Sequence, residues 1–299
     1  MSIKVQNITK IYGNQKALNN VSFEVNAGEI VGFLGPNGAG KSTMMKILTC
    51  YLPQTSGQAI VCGFDVEKES MKVKKNVGYL PEHNPLYLEM YVKEYLSFIG
   101  GLHGIKNVSD RVKEMISITG LELEQRKKIG ALSKGFRQRV GLAQALIHDP
   151  KVLIMDEPTT GLDPNQLDEI RALIKNVGKE KTVLLSTHIM QEVEAVCDRV
   201  IIINLGEVKA DGDIGSLKSE TEQVFLTVEF DTKFSFEKIK EISGVINASS
   251  NDGKLWQITS NGDIRKAVFK FAVDQDTTVL QLNVNGQKME DIFRIKTKK

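Results

Sequence analysis

Cysteine is scarce in this sequence, and the few present exclude two classes of protein. Cys50, Cys62 and Cys197 show no metal-ligand spacing, and an odd number gives no disulfide framework. A reducing cytosol is the simplest setting. No uninterrupted apolar run approaches the length needed to span a bilayer, so any membrane role must come through a partner. The opening Met1-Ser2-Ile3-Lys4-Val5 lacks the apolar core of a signal peptide. Excess charge of one sign is also lacking. The 39 Lys and Arg against 37 Asp and Glu leave a net charge of +2, which provides no global pull toward nucleic acid or an anionic membrane. Nucleic acid is not an expected partner. The basic stretches Lys72 with Lys74-Lys75, and Arg126-Lys127-Lys128, read as solvated faces. What remains is an ordinary globular composition, and 299 residues suffice for one large or two smaller domains.

What is present is a glycine-rich loop, Gly35-Pro36-Asn37-Gly38-Ala39-Gly40-Lys41-Ser42. It follows the apolar Ile30-Val31-Gly32-Phe33-Leu34 and leads into Thr43-Met44-Met45-Lys46-Ile47-Leu48, which reads as a helix. That strand, loop and helix context is what a phosphate-binding loop requires. The glycines let backbone N–H groups converge on phosphate oxygens, and the helix start adds partial positive charge. Lys41 would reach the β- and γ-phosphates, and Ser42 would sit on Mg²⁺. Such a loop alone could serve a GTPase, a kinase, a helicase or a transporter ATPase. Val152-Leu153-Ile154-Met155-Asp156-Glu157-Pro158 narrows the choice. An apolar strand ending in Asp156 places a carboxylate where it can hold Mg²⁺, and Glu157 is positioned to polarise an attacking water.

The rest of the chain reads as strands and helices around this loop. Ile3, Val5, Ile8 and Ile11, then Val21, Phe23 and Val25, suggest two short strands joined by Tyr12-Gly13-Asn14 and Asn19-Asn20. A strand is expected at Ala59-Ile60-Val61 and helical spacing from about Val92 to Thr119, broken at Gly100-Gly101 and Gly104. Val152–Met155, Val183–Leu185 and Val200–Ile203 are short apolar runs, as for parallel strands buried on both faces. Near residue 218 the character changes. A strand from Gln223, a helix at Phe236, strands from Val245 and Leu255, a helix starting at Asp263 and a strand at Thr278–Val284 give the order βαββαβ. That order suggests a small α+β accessory domain of ferredoxin-like type, 219–299, read as a regulatory or docking element. No internal repeat or low-complexity linker is found.

Together the motifs resemble the nucleotide-binding subunit of an ATP-binding cassette (ABC) transporter over roughly residues 2 to 218. Leu132-Ser133-Lys134-Gly135-Phe136 resembles the family signature Leu-Ser-Gly-Gly-Gln, with Lys134 in place of a glycine and Phe136 in place of the glutamine. Thr160-Gly161-Leu162-Asp163-Pro164 resembles the dimer-contact loop, with Asp163 its key residue, and Ser186-Thr187-His188 resembles the switch that senses the γ-phosphate. Tyr12 matches the aromatic residue that stacks on adenine, although such a tyrosine is also an ordinary strand-end surface residue. Glu82, after Val77-Gly78-Tyr79-Leu80-Pro81, stands where many members carry a glutamine near the metal.

The resemblance implies an α/β P-loop NTPase with a RecA-like core, antiparallel β and α-helical subdomains (the latter about 83–148), and one cassette per chain. It also implies two ATP molecules bound head to tail, each held by Lys41 and Ser42 of one cassette and by Ser133 and Gly135 of another. The loop Gly35, Pro36, Asn37, Gly38, Ala39, Gly40 and Thr43 completes the cradle, Ser42, Asp156 and Glu82 surround Mg²⁺, and Glu157 and His188 act on the γ-phosphate. The implied partners are a homodimeric or paired second cassette and a polytopic permease holding the chain at the inner face of the cell membrane. Leu86, Tyr87, Leu88, Met90 and Tyr91 are a docking face or core. The variant signature and Glu82 resemble exporter-like cassettes. Gly78 to Leu96 and the tail Met289-Glu290-Asp291-Ile292-Phe293 are most similar to the gliding-motility ABC transporter ATPase of Bacteroidetes. The alternatives are a soluble ABC ATPase of translation or DNA repair, and a nucleotide-binding regulator with little hydrolysis.

Overall fold

The N-terminal hairpin pairs β1 (Ile3–Tyr12) with β2 (Gln15–Val25) across a turn at Gly13-Asn14. Both strands are longer than expected, and Asn19-Asn20 lies inside β2 rather than in a connecting turn. Asn20 adopts φ 52° where the register shifts, so the polar pair forms an irregularity within the ladder. β3 (Ile30–Leu34) is wholly buried and runs through the glycine loop into α1 (Lys41–Leu48). β4 (Ser56–Val61) and β5 (Phe64–Asp65) complete a four-stranded sheet ordered β2-β1-β4-β5. α2 (Ser70–Asn76) carries Lys72, Lys74 and Lys75 on its exposed surface and leads into β6 (Val77–Leu80).

α3 (Val92–Leu102) and α4 (Val108–Ile118) occupy the helical stretch. The break comes after Leu102 rather than at Gly100-Gly101. α3 continues through both glycines, and Gly100 allows α4 to approach, since an added Cβ would lie 2.9 Å from Val108 Cγ1. α5 (Lys134–Leu146), β7 (Val152–Asp156), α6 (Pro164–Gly178), β8 (Thr182–Thr187), α7 (Met190–Val196), β9 (Arg199–Asn204) and β10 (Glu207–Asp213) follow. The larger sheet has six strands in the order β10-β9-β3-β8-β7-β6, parallel from β9 to β6 and antiparallel at β10. Leu153 and Met155 of β7 pack with the helical stretch, while Val152 and Ile154 pack with α1 and the N-terminal hairpin. The sheet is thus covered on both faces, which is why its strands read as continuous apolar runs.

The computed structural model describes residues 1–219, 223–285 and 293, and its contacts part between Ile214 and Gly215, against 218 in the sequence reading. α8 (Ile214–Ser219) spans that division. The second unit contains β11 (Gln223–Phe230), α9 (Phe236–Lys240), β12 (Val245–Ser249), β13 (Leu255–Asn261), α10 (Arg265–Asp274) and β14 (Val279–Asn285). Its sheet runs β12-β13-β11-β14, every pair antiparallel, with Leu226, Val228, Phe230, Trp256 and Ile258 packed against Ile239, Val268 and Phe271. α10 starts two residues beyond the expected Asp263, whose carboxylate accepts the Arg265 N–H at 3.1 Å. Met289, Glu290, Asp291 and Ile292 of the tail motif lie outside the described residues. No helix among the described residues is long and apolar enough to cross a membrane.

Two expected outcomes follow from the packing. A Cβ on Gly78 would lie 2.1 Å from the Ala145 carbonyl oxygen, whereas one on Gly101 meets nothing within 4 Å. Gly78→Ala should destabilise the first unit by about 1–3 kcal/mol and Gly101→Ala should not, as read by chemical denaturation. The rings of His103 and His148 stack with centroids 4.2 Å apart. Burial, helped by His103, pushes the His148 imidazole down to about 4. The folded protein therefore keeps His148 neutral where the unfolded chain protonates it. Its contribution to stability is full above the unfolded value of about 6.5 and is lost as pH falls toward 4. His148→Gln should flatten the drop in Tm over that window.

Candidate active site

Strand register assembles the site. Leu34 of β3 pairs with Thr187 of β8, Asp156 of β7 with Ser186, and Leu80 of β6 with Met155. Gly35, His188, Glu157 and Glu82 therefore leave the sheet along one edge, at the carboxyl ends of parallel strands where α/β sheets bind ligands. Gly40 stands before α1 at φ 105° with no side-chain cap, so the first-turn N–H groups remain open to an anion. Two glycines of the loop are fixed by their neighbours as well. A Cβ on Gly40 would lie 2.4 Å from the Ala17 carbonyl oxygen, and one on Gly35 would lie 2.5 Å from that of Ile203.

Lys41 is buried, yet its ammonium reaches three oxygens. Nζ donates to the Gly35 carbonyl at 2.8 Å and the Pro36 carbonyl at 3.3 Å, and it pairs with Glu157 Oε1 at 3.2 Å. Glu157 follows β7 with a left-handed backbone at φ 50°, and its N–H donates to the Ser186 carbonyl at 3.1 Å. Such a conformation in a non-glycine residue costs on the order of 1–3 kcal/mol. His188 Nδ1 lies 2.8 Å from Glu157 Oε2, and the Thr160 hydroxyl donates to the same oxygen at 3.3 Å. Asp156 accepts from Ser42 Oγ at 3.1 Å and from the Ser186 hydroxyl. Among the described residues, the buried charged side chains are Lys41, Asp156, Glu157 and Glu192, three carboxylates to one ammonium.

A cleft of about 520 Å³ opens over this cluster, lined by Asn37, Gly38, Gly40, Lys41, Ser42 and Thr43 together with Glu82, Glu157, Thr160 and His188. Gly35, Pro36 and Ala39 do not line it, the first two meeting Lys41 through their carbonyls. Tyr12, Ser133, Gly135 and Asp163 also lie outside its lining. Tyr12 is exposed at the end of β1, with the Lys10 ammonium 5.3 Å from its ring centroid. Ser133 precedes α5 and accepts the Phe136 N–H at 3.3 Å, while Asp163 precedes α6 and accepts the Gln166 N–H at 3.0 Å. The two helix starts touch, because the Gln166 side chain occupies the space that a Cβ on Gly135 would take.

The sequence reading missed several hydroxyls and amides that hold the site. Ser186 and Thr160 brace Asp156 and Glu157, and Gln138 of α5 donates to the Pro158 carbonyl at 2.8 Å, just behind Glu157. Glu192 of α7 receives hydroxyls from Thr159 and Thr187. One signal was available, the change from Val183-Leu184-Leu185 to two hydroxyl residues at the end of a buried strand.

A family model described as ABC transporter matches residues 18–160. The ABC transporter ATP-binding protein YxlF of Bacillus subtilis (strain 168) is 33% identical over 297 residues, covering 97% of this chain and 98% of that protein. The chain belongs to the ATP-binding subunits of ABC transporters. The bacitracin transport ATP-binding protein BcrA of Bacillus licheniformis is 31% identical over 293 residues, covering 97% of this chain and 95% of BcrA. Among solved structures, the dimeric post-hydrolysis state of the ATP-binding cassette MJ0796 bound to ADP and Pi matches with a TM-score of 0.65 at 27% identity, covering 71% of this chain and 98% of that one. The cassette is thus an ATPase of mixed α/β P-loop fold.

Gly40→Ala would force a side chain onto an unfavourable backbone and into the Ala17 carbonyl. It should weaken binding of a fluorescent ATP analogue by about tenfold or more, the equivalent of ~1.4 kcal/mol, measured by titration.

Proposed function

We propose that this chain hydrolyses ATP as one of two cassettes closing around two nucleotides, and thereby drives a separate membrane permease. The observation that carries the reading is the buried Lys41–Glu157 pair, with the exposed His188 bonded to it, at the mouth of the phosphate loop. Lys41 leaves Glu157 for the β- and γ-phosphates, and the freed carboxylate then polarises the attacking water. His188, kept beside Glu157, contacts the γ-phosphate. Thr43 and the N–H groups of the loop complete the phosphate cradle, and Tyr12 stacks on adenine.

Magnesium fits the donor set. Ser42 and Asp156 are already bonded and offer only oxygen, as a hard cation requires. No group of three or more His, Cys, Asp or Glu able to hold a metal occurs among the described residues. Mg²⁺ would keep several waters and share phosphate oxygens rather than fill a protein cage. When bound, it neutralises charge developing on the phosphates. Glu82 also lines a second hollow together with Ser42 and Asp156, so a further carboxylate is within the same neighbourhood.

The dimeric reading is supported by the exposed Ser133 at a helix start with no acidic residue in its first turn, outside the chain's own cleft. Ser133 and Gly135 then meet the nucleotide of the opposing cassette, and Asp163 lies at the contact. Tyr87, Leu88 and Tyr91 are exposed and supply apolar contact for a permease at the inner face of the cell membrane, while Leu86 and Met90 belong to the core. Similarity to BcrA, named for bacitracin transport, supports an exporter-type permease. The narrower reading, a link to gliding motility, rests on Gly78–Leu96 and the tail motif. Disrupting the gene should then abolish colony spreading, and unchanged spreading would overturn it.

Glu157→Gln tests the catalytic assignment. It should keep ATP, accumulate an ATP-dependent dimer on size-exclusion chromatography and lose at least about a hundredfold in turnover. Wild-type hydrolysis by this variant would refute the assigned base. Lys41→Ala should weaken ATP binding, and undiminished affinity would count against the cradle.

A further inference from the structure

We propose that Glu192 is a positioning residue that locks the loop bearing Glu157 and the turn bearing His188 into one rigid unit. The inference rests on the assignment of those two residues to hydrolysis. Glu192 is 2% exposed, on the first turn of α7. Its Oε1 accepts the hydroxyl of Thr159, two residues beyond Glu157, and its Oε2 accepts that of Thr187, immediately before His188, at 2.5 Å. Thr187 Oγ1 in turn accepts the Ile189 N–H at 3.1 Å, so the backbone on both sides of His188 is held.

A carboxylate suits this position because it only accepts, and here two hydroxyls donate to it, one from the turn after β7 and one from the end of β8. Its platform is firm. α7 packs so closely on β3 that a Cβ on Gly32 would lie 3.0 Å from Cys197 Sγ and 3.2 Å from Val193 Cγ2. Glu192 thus ties both switch segments to the strand that feeds the phosphate loop. Neither Glu192 nor the two threonines line the cleft. The 2.8 Å contact between Glu157 and His188 is what this arrangement preserves. A displacement of about 1 Å at such a contact can cost on the order of a hundredfold in rate.

The test uses the full chain and compares Glu192→Ala, Glu192→Gln and Glu157→Gln. Glu192→Ala should lose about tenfold to a hundredfold in kcat while the Kd for a fluorescent ATP analogue changes by no more than about twofold. Glu192→Gln keeps the shape and one acceptor oxygen, and it should recover most of that loss. Wild-type turnover in Glu192→Ala, with Glu157→Gln inactive, would overturn the inference, as would a loss of nucleotide affinity in proportion to the loss of rate. Turnover in Glu157→Gln would instead remove the underlying assignment. Thr159→Val and Thr187→Val, which keep side-chain volume, provide the same test if Glu192→Ala does not fold. The folded double variant should show the same loss of kcat, and full activity in it would overturn the proposal.

Discussion

A buried ammonium held by its own loop and by a neighbouring carboxylate governs this structure. Lys41 and Glu157 are both nearly excluded from water and lie 3.2 Å apart. Ions buried this deeply are tolerable only when paired and hydrogen-bonded, and removing one partner strands the other. The loop carbonyls of Gly35 and Pro36 share the load on Lys41, and Thr160 and His188 share it on Glu157. Lys41 is therefore already satisfied, while the first-turn N–H groups of α1 remain open. In the proposed mechanism a triphosphate would exchange the Lys41 contacts and add those to the loop, which reduces the reorganisation left for the reacting complex.

The sheet makes this cluster possible. Three parallel strands end in register, and each is buried along its length, so a rigid edge presents Gly35, Glu157 and His188 side by side. The surplus of carboxylates over ammonium at that edge would be unfavourable alone. In the proposed mechanism it would be offset by a phosphate-bound divalent cation. Glu192 stands apart because it lies outside the cleft and two threonine hydroxyls satisfy it, and its proposed role is accordingly mechanical.

Much of this was legible in the sequence, for a physical reason. Strands buried on both faces must be apolar throughout, so β3, β7, β8 and β9 announced themselves, and the chemistry follows at their ends. The glycine loop was read from its own motif between a strand and a helix, Asp156 and Glu157 from the apolar run they end, and His188 from the resemblance. Less visible were elements stabilised by backbone pairing or by polar contacts. β10 reads Glu-Val-Lys-Ala-Asp-Gly-Asp, whose alternation offers a single large apolar residue, and is held by its ladder with β9. The irregularity at Asn20 looked like a turn because asparagine tolerates left-handed backbone in both settings. Gly100-Gly101 looked like a break, but Gly100 serves close helix packing. The threonine contacts of Glu192 bring together a turn, a strand end and a helix, and no local pattern encodes such a meeting.

Ser133 and Gly135 are separated from the chain's own cleft, yet they are not independent of it. Gln138, one turn further along α5, grips the carbonyl of Pro158, the residue after Glu157. Gln166 of α6 fills the space above Gly135, and Asp163 fixes the start of α6. A ligand drawn to the start of α5 would therefore pull on a helix bonded directly to the turn that carries the proposed base. Glu192 braces the far side of that turn through Thr159. The proposed base is thus suspended between a helix whose start at Ser133 and Lys134 is exposed and a strand-anchored helix in the core. Contact with a second cassette at the start of α5 would then reach the turn bearing Glu157 through the hydrogen bond from Gln138 to the Pro158 carbonyl.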